Sequence, residues 1–282
     1  MRHHIPRQPR KTLLDEKLSK CYDKASDSCQ IVETVIGQIN TYGGPDMNRL
    51  LYMVTRNIWK VPPAWFKLCH YAKHTDEYPE AEKYAHVRYI LKTAVDTGNI
   101  DFQVYGKENI PEEDGYMMFS NHQGLFDIMA ICAACERPWG AVLKKELYKI
   151  PFMKQIVDCT KSYPMDRDDL RQSMKVIQAV TKEVKNGRNY LIFPEGTRSK
   201  DGNNMLEFHS GSFKSATKAQ CTILPIALIN THKVLDEKGN KPVVVQLHFL
   251  PQIPYEEYKD LNTVELAQMV HDRIEEVIKN NE

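Results

Sequence analysis

Long apolar runs are missing from this 282-residue chain. No window of about 18 uninterrupted apolar residues occurs, which excludes an ordinary transmembrane helix. Glycine and proline are sparse, at 13 and 15 residues, so collagen-like and low-complexity readings fall away. Net charge is nearly absent: 38 Lys and Arg against 37 Asp and Glu leave +1. A chain so balanced is no general nucleic-acid binder, and any electrostatic partner must be met by a local patch. The basic start, MRHHIPRQPRK, is not followed by the short apolar run of a signal peptide. The seven cysteines, Cys21, Cys29, Cys69, Cys132, Cys135, Cys159 and Cys221, are odd in number and scattered. That pattern predicts free thiols in a reducing compartment, not a disulfide framework. Cys132 and Cys135 form a lone CxxC without a second half-site, late in an apolar stretch, and are expected to be packed. His70, His74, His86, His209 and His248 have no metal-ligand spacing. No metal is expected.

What is present is an ordinary globular composition, 42% hydrophobic and 27% charged, enough for one sizeable core and a smaller N-terminal region. Residues 1–99 read as helices: Leu13, Leu14, Leu18 and Cys21 recur at helical spacing, and Gly43-Gly44-Pro45 breaks the chain. Over 100–282 short β-prone runs alternate with helical stretches. The runs are DFQVYG, YMMFSN, GAVLK, NYLIFP, CTILPIALI and VVVQLHFL. Between them 168–186 reads as a helix opened by Asp168 or Asp169, and a last helix begins near Asn262, with Glu265 completing a capping box. Strand–helix alternation predicts an α/β fold with a largely parallel sheet flanked by helices. Chemistry in such sheets sits in loops beyond the strands' carboxyl ends.

Four motifs fall there. After YMMFS comes Asn121-His122-Gln123-Gly124-Leu125-Phe126-Asp127. Five positions apart on one helix would put His122 and Asp127 about 140° apart. They meet only if His122 lies in the loop and Asp127 opens the helix, a bend that Gly124 permits. The carboxylate would then hold the imidazole tautomer and stabilise its protonated form; otherwise Asp127 is a helix cap beside an unrelated histidine. After NYLI, Phe193-Pro194-Glu195-Gly196-Thr197-Arg198 ends a strand and turns, and Arg198 offers a fork of donors suited to phosphate. Tyr163-Pro164-Met165-Asp166-Arg167, preceded by Lys144-Lys145, supplies a second arginine, either a phosphate ligand or a salt-bridge partner of Asp168 or Asp169. Pro225, within an apolar strand, reads as an edge or a bulge.

In this order the four motifs resemble the glycerophospholipid acyltransferase family, specifically the PlsC-like 1-acyl-glycerol-3-phosphate acyltransferases, over roughly residues 100–250. The resemblance implies that His122, paired with Asp127, deprotonates an acceptor hydroxyl as it attacks an acyl thioester. Arg167, Glu195, Gly196, Thr197, Arg198 and Lys145 are then the substrate-binding residues. The arginines hold the acceptor phosphate, Glu195 positions the glycerol hydroxyl or an arginine, and amides near Gly196 face the oxyanion. No Ser or Cys sits in a nucleophile elbow, so no acyl-enzyme is expected. The resemblance implies no cofactor beyond an acyl-CoA or acyl carrier protein thioester as co-substrate. It implies a lysophospholipid acceptor, 1-acyl-sn-glycerol 3-phosphate, giving phosphatidic acid for phospholipid biosynthesis. Acylation of glycerol 3-phosphate or another lysolipid, hydrolysis, and a non-catalytic membrane-binding module are the alternatives. Gly124 departs from the serine or threonine of many members, which bears on fine specificity.

Residues 47–73 carry Arg49, Arg56, Lys60, Lys67 and Lys73 and no acidic residue. On a helix Leu50, Leu51, Val54, Ile58 and Val61 share a face, with Arg49, Arg56 and Lys60 roughly opposite, and Pro62-Pro63 ends it before Trp65 and Phe66. This reads as an in-plane amphipathic anchor or as a packed helix with its basic face in water. The expected location is peripheral or monotopic, on the cytoplasmic face of a membrane.

Overall fold

The computed structural model describes residues 48–167, 169–237 and 239–282. The helical spacing at 13–21 and the Gly-Gly-Pro break lie outside the described residues, as does Asp168. Among the described residues three helices come first: α1 (Asn48–Arg56), α2 (Val61–Lys73) and α3 (Glu80–Thr97). Then strands and helices alternate as β1 (Ile100–Tyr105), β2 (Met117–Ser120), α4 (Phe126–Ala134), β3 (Trp139–Lys144), α5 (Pro151–Thr160), β4 (Tyr163–Met165), α6 (Leu170–Lys185) and β5 (Asn189–Ile192). The chain closes with α7 (Lys214–Ala219), β6 (Ile223–Ile229), α8 (His232–Leu235), β7 (Val243–Phe249), α9 (Tyr255–Tyr258) and α10 (Thr263–Asn281).

All six expected strands are present. The seventh, β4, is three residues long and contains Pro164, too short for a periodic signal. The sheet order is β1-β7-β6-β2-β5-β3-β4. From β6 to β4 every pairing is parallel. β7 runs antiparallel to β6, and β1 follows β7 in parallel. The fold is thus α/β with a mostly parallel sheet between helices.

The central strands read as continuous apolar runs because both faces are covered. Met118, Leu224, Ile226 and Leu228 point into one cluster with α3, α4 and α5. Met117, Phe119, Ile223, Ala227 and Ile229 point into the other, with α6, α7 and α10. That alternation is the two-residue period of a strand. Helix α10 answers with Leu266, Val270, Ile274 and Ile278, one residue per turn along its buried stripe. Its start is capped as expected, with Asn262 accepting from the Glu265 amide and the Glu265 side chain accepting from that of Asn262. Helix α6 is capped by Asp169, whose side chain accepts from the amides of Arg171 and Gln172.

Pro225 lies in an interior strand, not at an edge. Beside it the β6–β7 register slips by one residue, from Ile226 opposite Phe249 to Ile223 opposite Ile253. A proline without an N–H fits such a bulge, while its carbonyl still accepts from the Leu250 amide at 3.0 Å.

Helix α1 differs from its expected orientation. Arg49, Met53 and Asn57, one turn apart, are the buried residues. The Arg49 guanidinium donates to the carbonyls of Gly98 (3.0 Å), Asn99 (3.1 Å) and Lys241 (2.7 Å). Burying a charge is tolerated only when it is well partnered, and three carbonyls outbid the solvent here. Leu51, Ile58 and Trp59 consequently face outward, Trp59 being 90% exposed. Among the described residues no helix is long and apolar enough to cross a membrane. The helices of 48–97 share one apolar cluster with the sheet through Met53, Leu68, Tyr71, Tyr84, Val87, Leu91 and Val95.

Candidate active site

Five parallel strands deliver their carboxyl ends to one edge of the sheet, so five loops meet there in the order β6, β2, β5, β3, β4. His122 is in the central β2 loop, Glu195 to Arg198 follow β5, Lys145 follows β3, and Arg167 follows β4. At about 4.8 Å per strand, the β2 and β4 loops start about 14 Å apart.

His122 and Asp127 meet as the spacing predicts. Asp127 sits in the first turn of α4, and His122 in the loop before it. Nδ1 of His122 is 2.7 Å from Oδ2 of Asp127. The same oxygen accepts the main-chain N–H groups of Gln123 (2.7 Å) and Gly124 (3.0 Å). Asp127 is fully buried, whereas the His122 side chain keeps one-fifth of its surface. A carboxylate oxygen taking three contacts acts as an acceptor, which places the neutral imidazole's proton on Nδ1 and leaves Nε2 able to accept one. Phe193 stacks on the ring at 4.2 Å between centroids, which further limits its rotation. Gly124 does not adopt a positive φ. What the loop needs from it is the space of a missing side chain, not unusual backbone freedom.

Glu195 is 2% exposed. Its Oε1 accepts the His122 N–H at 2.7 Å and its Oε2 that of Leu206 at 3.1 Å. Both oxygens are therefore spent on the main chain, not on an arginine. Burial pushes its carboxyl up to about 7, against the pull of these two amides, with the nearby Asp127 charge adding to the rise. The His122 carbonyl in turn accepts from Ser199 at 2.8 Å. The β5 loop thus holds the histidine's backbone on both sides.

Gly196 takes a φ of 70°, and a β-carbon there would come within 2.9 Å of the His209 ring. Its own N–H donates to the Phe193 carbonyl at 3.2 Å, so that amide closes the turn and is not an open oxyanion donor. Thr197 is exposed. Arg198 pairs with Asp236 at 3.5 Å, both side chains about one-third exposed. Lys145 is ion-paired with Asp166. Arg167 is exposed on the same side of the sheet; desolvation at its charged end lowers its pKa, and the Glu146 carboxylate raises it. A guanidinium remains charged through such shifts.

Three residues of this site carried no role in the sequence reading. Asn121 extends β2 with its side chain, donating to the Leu228 carbonyl (2.9 Å) and accepting the Leu228 amide (2.8 Å). Gln123 accepts from the amide and hydroxyl of Thr231 (2.9 and 2.8 Å) and donates to Asn203 and Leu228. Asp236 meets Arg198 from the β6 side. The one visible signal is a polar Asn-His-Gln triplet directly after the buried strand β2.

Cys132 and Cys135 are buried, and burial pushes the Cys132 thiol up to about 12, which leaves it inert. Among the described residues His271, Asp272 and Glu275 offer three ligand atoms within 4.8 Å of one another, on the surface of α10.

A buried carboxylate orienting a loop histidine at the carboxyl edge of a parallel sheet can carry acid–base chemistry. Residues 101–229 match the family model described as Acyltransferase. The chain is similar to the 1-acyl-sn-glycerol-3-phosphate acyltransferase of Borreliella burgdorferi, 27% identical over 67% of this chain and 76% of that protein. It is similar to the protein of the same name from Salmonella typhimurium, 34% identical over 52% of this chain and 60% of that one. The Saccharomyces cerevisiae protein of that name is 27% identical over 64% of this chain and 60% of its own length. The fold is also that of the 1-acyl-sn-glycerophosphate (LPA) acyltransferase PlsC from Thermotoga maritima. The two superpose with a TM-score of 0.66 at 21% identity, covering 84% of this chain and 98% of that one.

Proposed function

We propose that this protein transfers a fatty acyl group from an acyl-CoA or acyl carrier protein thioester to the free hydroxyl of 1-acyl-sn-glycerol 3-phosphate, giving phosphatidic acid. The observation that carries this reading is the 2.7 Å contact between His122 Nδ1 and the buried Asp127, which frees Nε2 for the hydroxyl proton. The hydroxyl oxygen attacks the thioester carbonyl carbon while Nε2 takes its proton. The tetrahedral oxyanion collapses, the carbon–sulfur bond breaks, and the thiolate leaves with the proton returned from His122. Because the Gly196 amide is committed to its turn, the amides that follow it are the ones proposed to face the oxyanion. Arg198 and Arg167 hold the acceptor phosphate, their strands being two places and about 10 Å apart, so both side chains must converge from the loop edge. Lys145 adds positive charge beside Arg167 from its pair with Asp166.

The enzyme works from the cytoplasmic face as a peripheral protein. The outward Leu51, Ile58 and Trp59 of α1 and the turn after it, flanked by Arg56 and Lys60, form a docking patch that combines apolar anchors with basic residues. The test is a transfer assay that crosses acyl-CoA and acyl carrier protein donors with 1-acyl-sn-glycerol 3-phosphate, glycerol 3-phosphate and other lysophospholipids. Phosphatidic acid formed from lysophosphatidate faster than any other product supports the proposal. Preference for a different acceptor, or release of free fatty acid alone, overturns it.

A further inference from the structure

The short helix α8 lies on the His122 loop at both its ends. At its start the Thr231 amide and hydroxyl both donate to Gln123. At its end Asp236 reaches Gly124, with Oδ2 standing only 2.5 Å from where a β-carbon on Gly124 would be. Between these ends Val234 is fully buried, so the helix has little freedom to shift. The other oxygen of Asp236, Oδ1, is 3.5 Å from a terminal nitrogen of Arg198. Asp236 follows β6 and Arg198 follows β5, while β2 lies between those strands. The Arg198–Asp236 pair therefore bridges over the loop that carries His122.

We propose that Asp236 is a positioning residue for acyl transfer: it fixes the Arg198 guanidinium over the His122 loop, and it can do so because Gly124 has no side chain. The inference rests on the reading of Arg198 as the acceptor's phosphate anchor. Asp236 engages one of the two terminal nitrogens, and a planar guanidinium held from one side presents its remaining donors in a fixed direction. The distance between the phosphate anchor and the base is then set before substrate arrives, which reduces the ordering cost of binding. Gly124 has an ordinary φ, so its backbone would accept alanine. The obstacle to a side chain there is the end of the Asp236 carboxylate. Adding a methyl group pushes that carboxylate aside without forcing the main chain, and its contact with Arg198 is lost while the fold is kept.

Wild type, Gly124→Ala, Asp236→Ala, the double variant and Arg198→Ala are compared as full-length proteins by steady-state kinetics with varied 1-acyl-sn-glycerol 3-phosphate. Asp236→Ala is expected to raise KM about fivefold, the upper range for a partly exposed ion pair, with kcat little changed. Gly124→Ala should raise KM to a similar degree, and the double variant should be no worse than the worse single one, because the methyl group then occupies vacated space. Additive KM increases, a fall in kcat without a KM change, or an unchanged or lowered KM in Asp236→Ala would each overturn the proposal. If Arg198→Ala leaves KM unchanged, the phosphate-anchor reading fails and the proposal fails with it. If Arg198→Ala raises KM and Asp236→Ala does not, the inference alone is lost.

Discussion

Glu195 Oε1 accepts the main-chain N–H of His122 at 2.7 Å from a side chain that is 2% exposed. His122 is thereby held twice, through its ring by Asp127 and through its backbone by Glu195. Two carboxylates from different strands' loops converge on one histidine, and neither is turned toward solvent.

Glu195→Gln should loosen this clamp. Both of its partners are donors, so an amide can satisfy only one and must turn its NH2 on the other. Leaving a buried donor unmet costs about 1–3 kcal/mol, and kcat should fall with it. Thermal unfolding and steady-state kinetics check both effects. Unchanged values in both would show that the clamp is dispensable.

The same residue predicts a pH dependence of stability. Burial raises the Glu195 carboxyl from 4.5 to about 7 in the folded protein. Between those values the folded state holds a proton that the unfolded chain has released. Its contribution to stability is therefore present below 4.5 and is lost as pH rises to about 7. Denaturant titrations of wild type and Glu195→Gln across this range should differ in slope, with the wild type losing relatively more toward neutral pH.

His122→Ala should lower acyl transfer by about 10²–10⁴-fold, the usual worth of a general base, with the fold intact because the main-chain bonds of residue 122 to Glu195 and Ser199 remain. Asp127→Asn should also reduce kcat. An amide can keep an oxygen toward His122 and the two loop amides, but its nitrogen then falls where Oδ1 has no partner, and it cannot stabilise an imidazolium. Circular dichroism and product formation separate folding from chemistry. Full turnover in His122→Ala would remove the mechanism.

Arg198→Ala and Arg167→Ala should act mainly through KM for lysophosphatidate, since charge-assisted hydrogen bonds of ~1.5–3 kcal/mol each are at stake. An acceptor without the phosphate should feel neither change. Equal losses on both acceptors would assign these arginines to the donor or to the fold.

The basic residues of α1 and of the turn after it should behave differently from one another. Trp59→Ser with Arg56→Glu and Lys60→Glu should weaken sedimentation with anionic vesicles, most visibly at low salt, because each basic residue near such a surface contributes about 1 kcal/mol. Arg49→Ala should instead lower Tm, since it strips a buried group from three carbonyls. Vesicle binding equal to wild type in the triple variant would place the membrane contact elsewhere.

The sequence alone determined the strand–helix alternation, six of the seven strands among the described residues, and the meeting of His122 with Asp127. These rest on local rules: apolar runs of strand length, caps such as Asn262 with Glu265, and a spacing of five that only a loop followed by a helix can close. Tertiary structure alone decided what Glu195 touches, since a carboxylate in a turn is equally suited to an arginine, a hydroxyl or an amide until the neighbouring strand is in place. It also decided which side of α1 is buried. Periodicity placed Arg49 on the polar face, but three carbonyls from residues 98, 99 and 241 were waiting where that face packs. Asp236 was out of reach of any local rule. Its partners Gly124 and Arg198 lie in loops of other strands, and only the order β6, β2, β5 brings a carboxylate, a missing side chain and a guanidinium to one place.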